Sequence, residues 1–75
     1  MTTVTITTAF ITLGQLLKDA GVVDSGGAAK YFLKENAVLV NDQPEDRRGR
    51  KLEAGDTVIL PDQTSFTVAR AVARA

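Results

Sequence analysis

The chain contains no cysteine and no histidine. Without cysteine, no disulfide staples the fold and no thiolate serves as nucleophile or ligand. Without histidine, the commonest acid–base group at neutral pH is missing, and metal centres lose their other frequent ligand. The carboxylates that remain are scattered beside turns or next to arginines. No metal site, no cofactor and no catalytic centre is expected, and the chain is read as not an enzyme. Aromatic residues are scarce as well, with one tyrosine and three phenylalanines. Readers of single-stranded nucleic acid usually offer several stacking platforms, so that mode is disfavoured. No window approaches the ~18 apolar residues of a membrane span. The N-terminal "MTTVTITTAFI" lacks the basic start and apolar run of a signal peptide. A cytoplasmic protein with no membrane partner and no small-molecule substrate is expected.

What is present suits a single small domain over residues 1–75. A chain of this size buries only roughly 60% of its unfolded surface. Its 44% apolar and 24% charged residues are ordinary for a globular domain, which argues against disorder. Residues 3–8, "TVTITT", alternate as a half-buried strand does. Thr12 and Gln15 have capping-box spacing, with Ile11 and Leu16 placed for a hydrophobic staple. Leu13, Leu16, Leu17 and Ala20 then form one apolar stripe, and Gly21 offers a left-handed stop. A first helix is predicted over 13–20.

A second helix follows, capped by Asp24 or Ser25. Its apolar face comprises Ala28, Ala29, Phe32 and Leu33, and Asn36 is the expected left-handed terminator. Gly26, Gly27, Lys30 and Lys34 cluster on the other face. "AVLVND" reads as a strand and a turn, and "QPEDRRGRKLEAG" as a short strand and a long loop. "TVIL" and "SFTV" (65–68) complete the strands, and the tail "ARAVARA" is expected to fray or form a helical turn. The order predicts an α+β fold: two short helices packed on a small, mostly antiparallel sheet.

Formal net charge is zero, yet the charge is unevenly divided. Residues 25–51 carry net +2 and the segments on either side net −1 each. The densest cluster is "RRGRK", with Arg47, Arg48, Arg50 and Lys51 around Gly49. A charge run of this kind is usually a solvated loop, and Glu45 and Asp46 directly precede it. Arginine is nevertheless the side chain whose planar fork best fits phosphate oxygens. The start of the second helix, Ser25-Gly26-Gly27, offers uncovered N–H groups to an anion, though a tight turn requiring positive φ explains the glycines equally well. Lys30 and Lys34 continue from it along a solvent face. Together these features describe one surface for an extended anion, a nucleic acid backbone. Tyr31 alone flanks it, which favours backbone and shape recognition of folded RNA.

The run from Thr12 to Leu60 resembles the RNA-binding domain named after ribosomal protein S-four, the αL motif. The matching pieces are Leu16-Leu17, Ser25, Ala29-Lys30, Val38-Leu39-Val40-Asn41 and Leu52-Glu53-Ala54-Gly55-Asp56. "SGGAAK" with "RRGRK" looks more narrowly like the small stand-alone bacterial members of YaaA type. The resemblance implies binding of structured RNA, often ribosomal, through the two-helix face and adjoining loop, and a monomer is expected. It points to Ser25 and Lys30. The family's usual arginines at the opening of helix one and after the helix-two serine are Thr12 and Gly26 here, a loss that "RRGRK" can compensate. Two rival readings are a protein–protein adaptor with a basic face and a ubiquitin-like sulfur carrier. The carrier needs a terminal Gly-Gly, and this chain ends "AVARA".

Overall fold

The computed structural model describes residues 2–71. Strand β1 (Thr2–Ile6) is followed by β2 (Ile11–Thr12), helices α1 (Leu13–Asp19) and α2 (Gly26–Glu35), and strands β3 (Val38–Val40), β4 (Gln43–Glu45), β5 (Lys51–Leu52), β6 (Thr57–Ile59) and β7 (Ser65–Arg70). Five strands form one sheet in the order β1-β7-β6-β3-β4, and β2 with β5 makes a separate two-stranded ribbon. This is the predicted α+β arrangement, and most of its strand pairs are antiparallel. The exception is β1 with β7, parallel from Thr2↔Phe66 to Ile6↔Arg70. Parallel pairing needs a long connection, which the intervening chain supplies. Local pattern carries no information about such a pairing.

The first helix starts as its sequence dictates. Thr12 is extended (φ −83°, ψ 156°), and its hydroxyl accepts the Gln15 N–H at 3.3 Å. The Gln15 side-chain Nε2 donates to Asp19 Oδ1 at 2.7 Å, an i, i+4 bond along the helix. At the other end Gly21 takes φ +79°. The Gly21 N–H then reaches the Lys18 carbonyl, and the Val22 N–H the Leu17 carbonyl, which is a Schellman closure.

Ser25 caps α2, its Oγ accepting the Ala28 N–H at 3.1 Å. Asn36 ends α2 differently from expectation. Its backbone is extended (φ −137°, ψ 97°), and its side-chain amide donates to the Phe32 carbonyl at 3.2 Å. An extended exit is required because β3 begins only two residues later.

Leu13, Leu16, Leu17, Ala29 and Leu33 bury one side of the helices against Val38, Val40, Leu52, Val58, Phe66 and Val68 of the strands. β3 turns into β4 through Asn41 and Asp42, both at positive φ (51° and 68°), the geometry of a two-residue primed hairpin turn. The Asn41 side chain then donates to Asp56 Oδ1 and accepts the Thr57 N–H, both at 2.9 Å. Asp56 also accepts the Glu53 N–H at 2.7 Å. The asparagine after β3 and the aspartate before β6 thus tie two turns together. Of the tail "ARAVARA", Ala69 and Arg70 belong to β7, and residues 72–75 lie outside the described residues.

Candidate nucleic-acid interface

The long loop expected after β4 is short: residues 46–50 link β4 to β5. Its organiser is Glu45, the one buried charged residue among those described, at 7% exposure. A carboxylate so placed requires partners. Arg47 grips it with two donors, Nε to Oε2 at 3.0 Å and Nη2 to Oε1 at 3.2 Å. Arg50 Nη1 adds a contact to Oε1 at 3.2 Å, and the backbone N–H groups of Asp46 and Arg47 both reach Oε2 at 3.2 Å. The Arg47 side-chain hydrogen bonds are the main reason why the Glu45 pKa falls from 4.5 to about 2, against the opposing effect of burial.

The segment so held docks on the start of α1. The Leu13 N–H donates to the Arg50 carbonyl at 2.8 Å and the Gly14 N–H to the Arg48 carbonyl at 2.9 Å. These are donors in the first turn of a helix that would otherwise lack partners. The approach is close enough to explain Gly14. A Cβ there would stand 3.1 Å from Arg48 Cβ and 3.3 Å from the Arg48 carbonyl oxygen.

Arg48 does not join Arg47 and Arg50 on Glu45. Its Nη1 donates to the Gly26 carbonyl at 3.1 Å, joining the loop to the first turn of α2. The result is a cleft where α1, α2 and the loop meet, lined by Gly14, Gln15, Lys18, Gly26, Arg48 and Gly49 among others. The N–H groups of Gly26 and Gly27 have no hydrogen-bond partner among the described residues. Neither glycine has a positive φ, so backbone strain does not require glycine at either position. At Gly27 an added Cβ would meet nothing nearer than Ser25 Oγ at 3.9 Å.

The candidate residues therefore divide. Ser25, Gly26, Gly27 and Arg48 come together at the start of α2. Lys30 and Lys34 are exposed and follow Gly26 and Gly27 at helical spacing along the same face. Arg47 and Arg50 belong to the same loop, but their guanidinium groups are engaged by Glu45. Lys51 lies elsewhere: it sits in the β2–β5 ribbon opposite Thr12, with Nζ 4.9 Å from the centre of the Phe10 ring, a cation–π distance. Lys18 was missed by sequence reasoning. It is exposed, lines the cleft, and makes no ion pair among the described residues. No local signal marks it, because its place at the cleft depends on how α1, α2 and the loop dock. Tyr31, 68% exposed, flanks the lysines of α2.

The S4 domain family matches residues 4–69. A curated relative from Bacillus subtilis (strain 168), named "Probable ribosome maturation protein RlbA", is 57% identical over 65 residues, covering 87% of this chain and 92% of that protein. With the match spanning nearly the whole sequence, the two helices and the loop that meets them are those of an S4 domain, and the chain belongs to that family.

Proposed function

We propose that this chain is a non-catalytic, cytoplasmic RNA-binding protein that recognises structured ribosomal RNA by backbone and shape. The observation that carries the reading is the meeting of Lys18, Arg48 and the start of α2 at one cleft, with Lys30 and Lys34 extending it along α2. None of Lys18, Lys30, Lys34 or Arg48 is neutralised by an ion pair among the described residues, so all four are available to phosphate oxygens. Family membership and the ribosome-maturation name of the relative support the same partner. Arg47 and Arg50 contribute in a second way, by building the loop, while their outer N–H groups remain open to a nearby phosphate. Arg47 is 73% exposed even while it holds Glu45.

The test is a binding titration at several salt concentrations, using folded transcripts of the ribosomal RNAs. With about four phosphates neutralised, log affinity falls with log salt at a slope of roughly −3. Replacing both Lys30 and Arg48 by Gln makes the slope shallower by about one to two, roughly one per lost contact. The loss is similar across RNAs of different sequence and similar shape. Equal slopes for the two proteins would remove the cleft from the interface. Retention of proteins but not RNA at low salt would favour the adaptor reading.

A further inference from the structure

We propose that Glu45 is the positioning residue of this interface: by holding Arg47 and Arg50 it seats residues 46–50 on the first turn of α1 and so sets Arg48 at the cleft. The functional half of this inference rests on the RNA reading above, whereas the structural half stands apart from it. Both carboxylate oxygens are fully used. Oε2 accepts from the Asp46 and Arg47 backbone N–H groups and from Arg47 Nε, and Oε1 from Arg47 Nη2 and Arg50 Nη1. Five donors converging on one buried carboxylate define the path of the segment. The same residues that donate side chains to Glu45 border the carbonyls that receive α1. Arg50 supplies the acceptor for Leu13, and Arg48, between the two clamped arginines, supplies that for Gly14. Of the three arginines, Arg48 alone is turned toward α2. A loop whose outer arginines are anchored presents its central one in a fixed place, and preorganisation of this kind lowers the ordering cost of binding.

A simpler role competes with this one. Glu45 would merely reduce the positive charge of the loop, and its removal would then strengthen attraction to phosphate. The two roles predict opposite signs. Glu45→Gln removes the charge and the clamp together. Glu45→Asp keeps the charge, but it is one methylene short of reaching both arginines. Positioning predicts that both variants lose RNA affinity. Charge reduction predicts tighter binding for Gln and no change for Asp.

Two readouts on the full chain decide. The first is amide hydrogen exchange at Leu13 and Gly14, whose N–H groups depend on the seated loop, with Val68 in β7 as the internal reference. Both variants are expected to speed exchange at Leu13 and Gly14 by roughly tenfold or more relative to Val68. The second is the titration with folded ribosomal RNA transcripts, where a several-fold weaker affinity is expected. Unchanged protection of Leu13 and Gly14 would overturn the proposal outright. Faster exchange with equal or tighter RNA binding would overturn its functional half. Failure of the unaltered protein to bind RNA at any salt concentration would sink the RNA reading instead, and the exchange comparison would still decide whether Glu45 seats the loop. Should Glu45→Gln not fold, Glu45→Asp carries both readouts.

Discussion

Gly14→Ala sets two effects of known size against each other. In an ordinary helix, alanine is favoured over glycine by up to about 1 kcal/mol, and the φ of Gly14 is not in the left-handed region. Judged on α1 alone, the substitution stabilises. The surroundings reverse the sign. The new Cβ would lie 3.1 Å from Arg48 Cβ and 3.3 Å from the Arg48 carbonyl oxygen, so the loop must retreat by a few tenths of an ångström. That retreat is opposed on several sides. The Arg48 carbonyl accepts the Gly14 N–H, the Arg50 carbonyl accepts the Leu13 N–H, Arg48 itself is held to Gly26, and Glu45 anchors both neighbouring arginines. Overpacking against fixed structure costs typically about 1–3 kcal/mol, which leaves a net loss of about 1 kcal/mol after the helical gain. For a domain of this size that lowers Tm by roughly 4–8 °C. Thermal melts followed by circular dichroism measure it, and amide exchange at Leu13 shows whether the loop has moved. A rise in Tm with unchanged exchange at Leu13 would show that the loop yields freely, and that close packing is not why glycine occupies this position.

The remaining expectations are simpler. Leu16 is fully buried between the helices and the sheet, so Leu16→Ala should lower stability by about 2–5 kcal/mol, a large part of what so small a domain has; an unchanged denaturant midpoint would refute the core assignment. Gly27→Ala has room for its methyl group and should stabilise α2 by up to about 1 kcal/mol, yet weaken RNA binding by hindering approach to the first turn; a full-affinity variant would place the phosphates elsewhere. The pH dependence follows from Glu45. Its pKa is lowered from 4.5 to about 2 on folding, chiefly by Arg47, so the unfolded chain takes up the proton first. The stabilisation is fully present above about 4.5 and is lost as pH falls through about 2. With Arg47 73% exposed, solvent screening keeps this contribution small. Glu45→Gln should flatten this part of the acid unfolding curve, and an unaltered curve would mean that the clamp contributes nothing to stability.

Local signals in the sequence determined much of this protein. The apolar stripe of Leu13, Leu16 and Leu17, the hydroxyls of Thr12 and Ser25, and the glycines at 21 and 55 set the helices and turns, because caps and left-handed positions depend on a few adjacent residues. The shared face of Gly26, Gly27, Lys30 and Lys34 was legible for the same reason, since helical spacing alone creates it. Contacts between distant segments were not legible. The parallel register of β1 on β7, the pairing of Ile11 with Leu52, and the entry of Lys18 into the cleft depend on how elements dock. The basic run "RRGRK" shows the difference most directly. In sequence its cations look equivalent, because charge is a property of each residue. In the fold, Glu45 takes Arg47 and Arg50, Phe10 takes Lys51, and Arg48 alone reaches α2. Burial of one carboxylate decides that division, since a charge removed from water must find its partners among whatever the tertiary structure brings near.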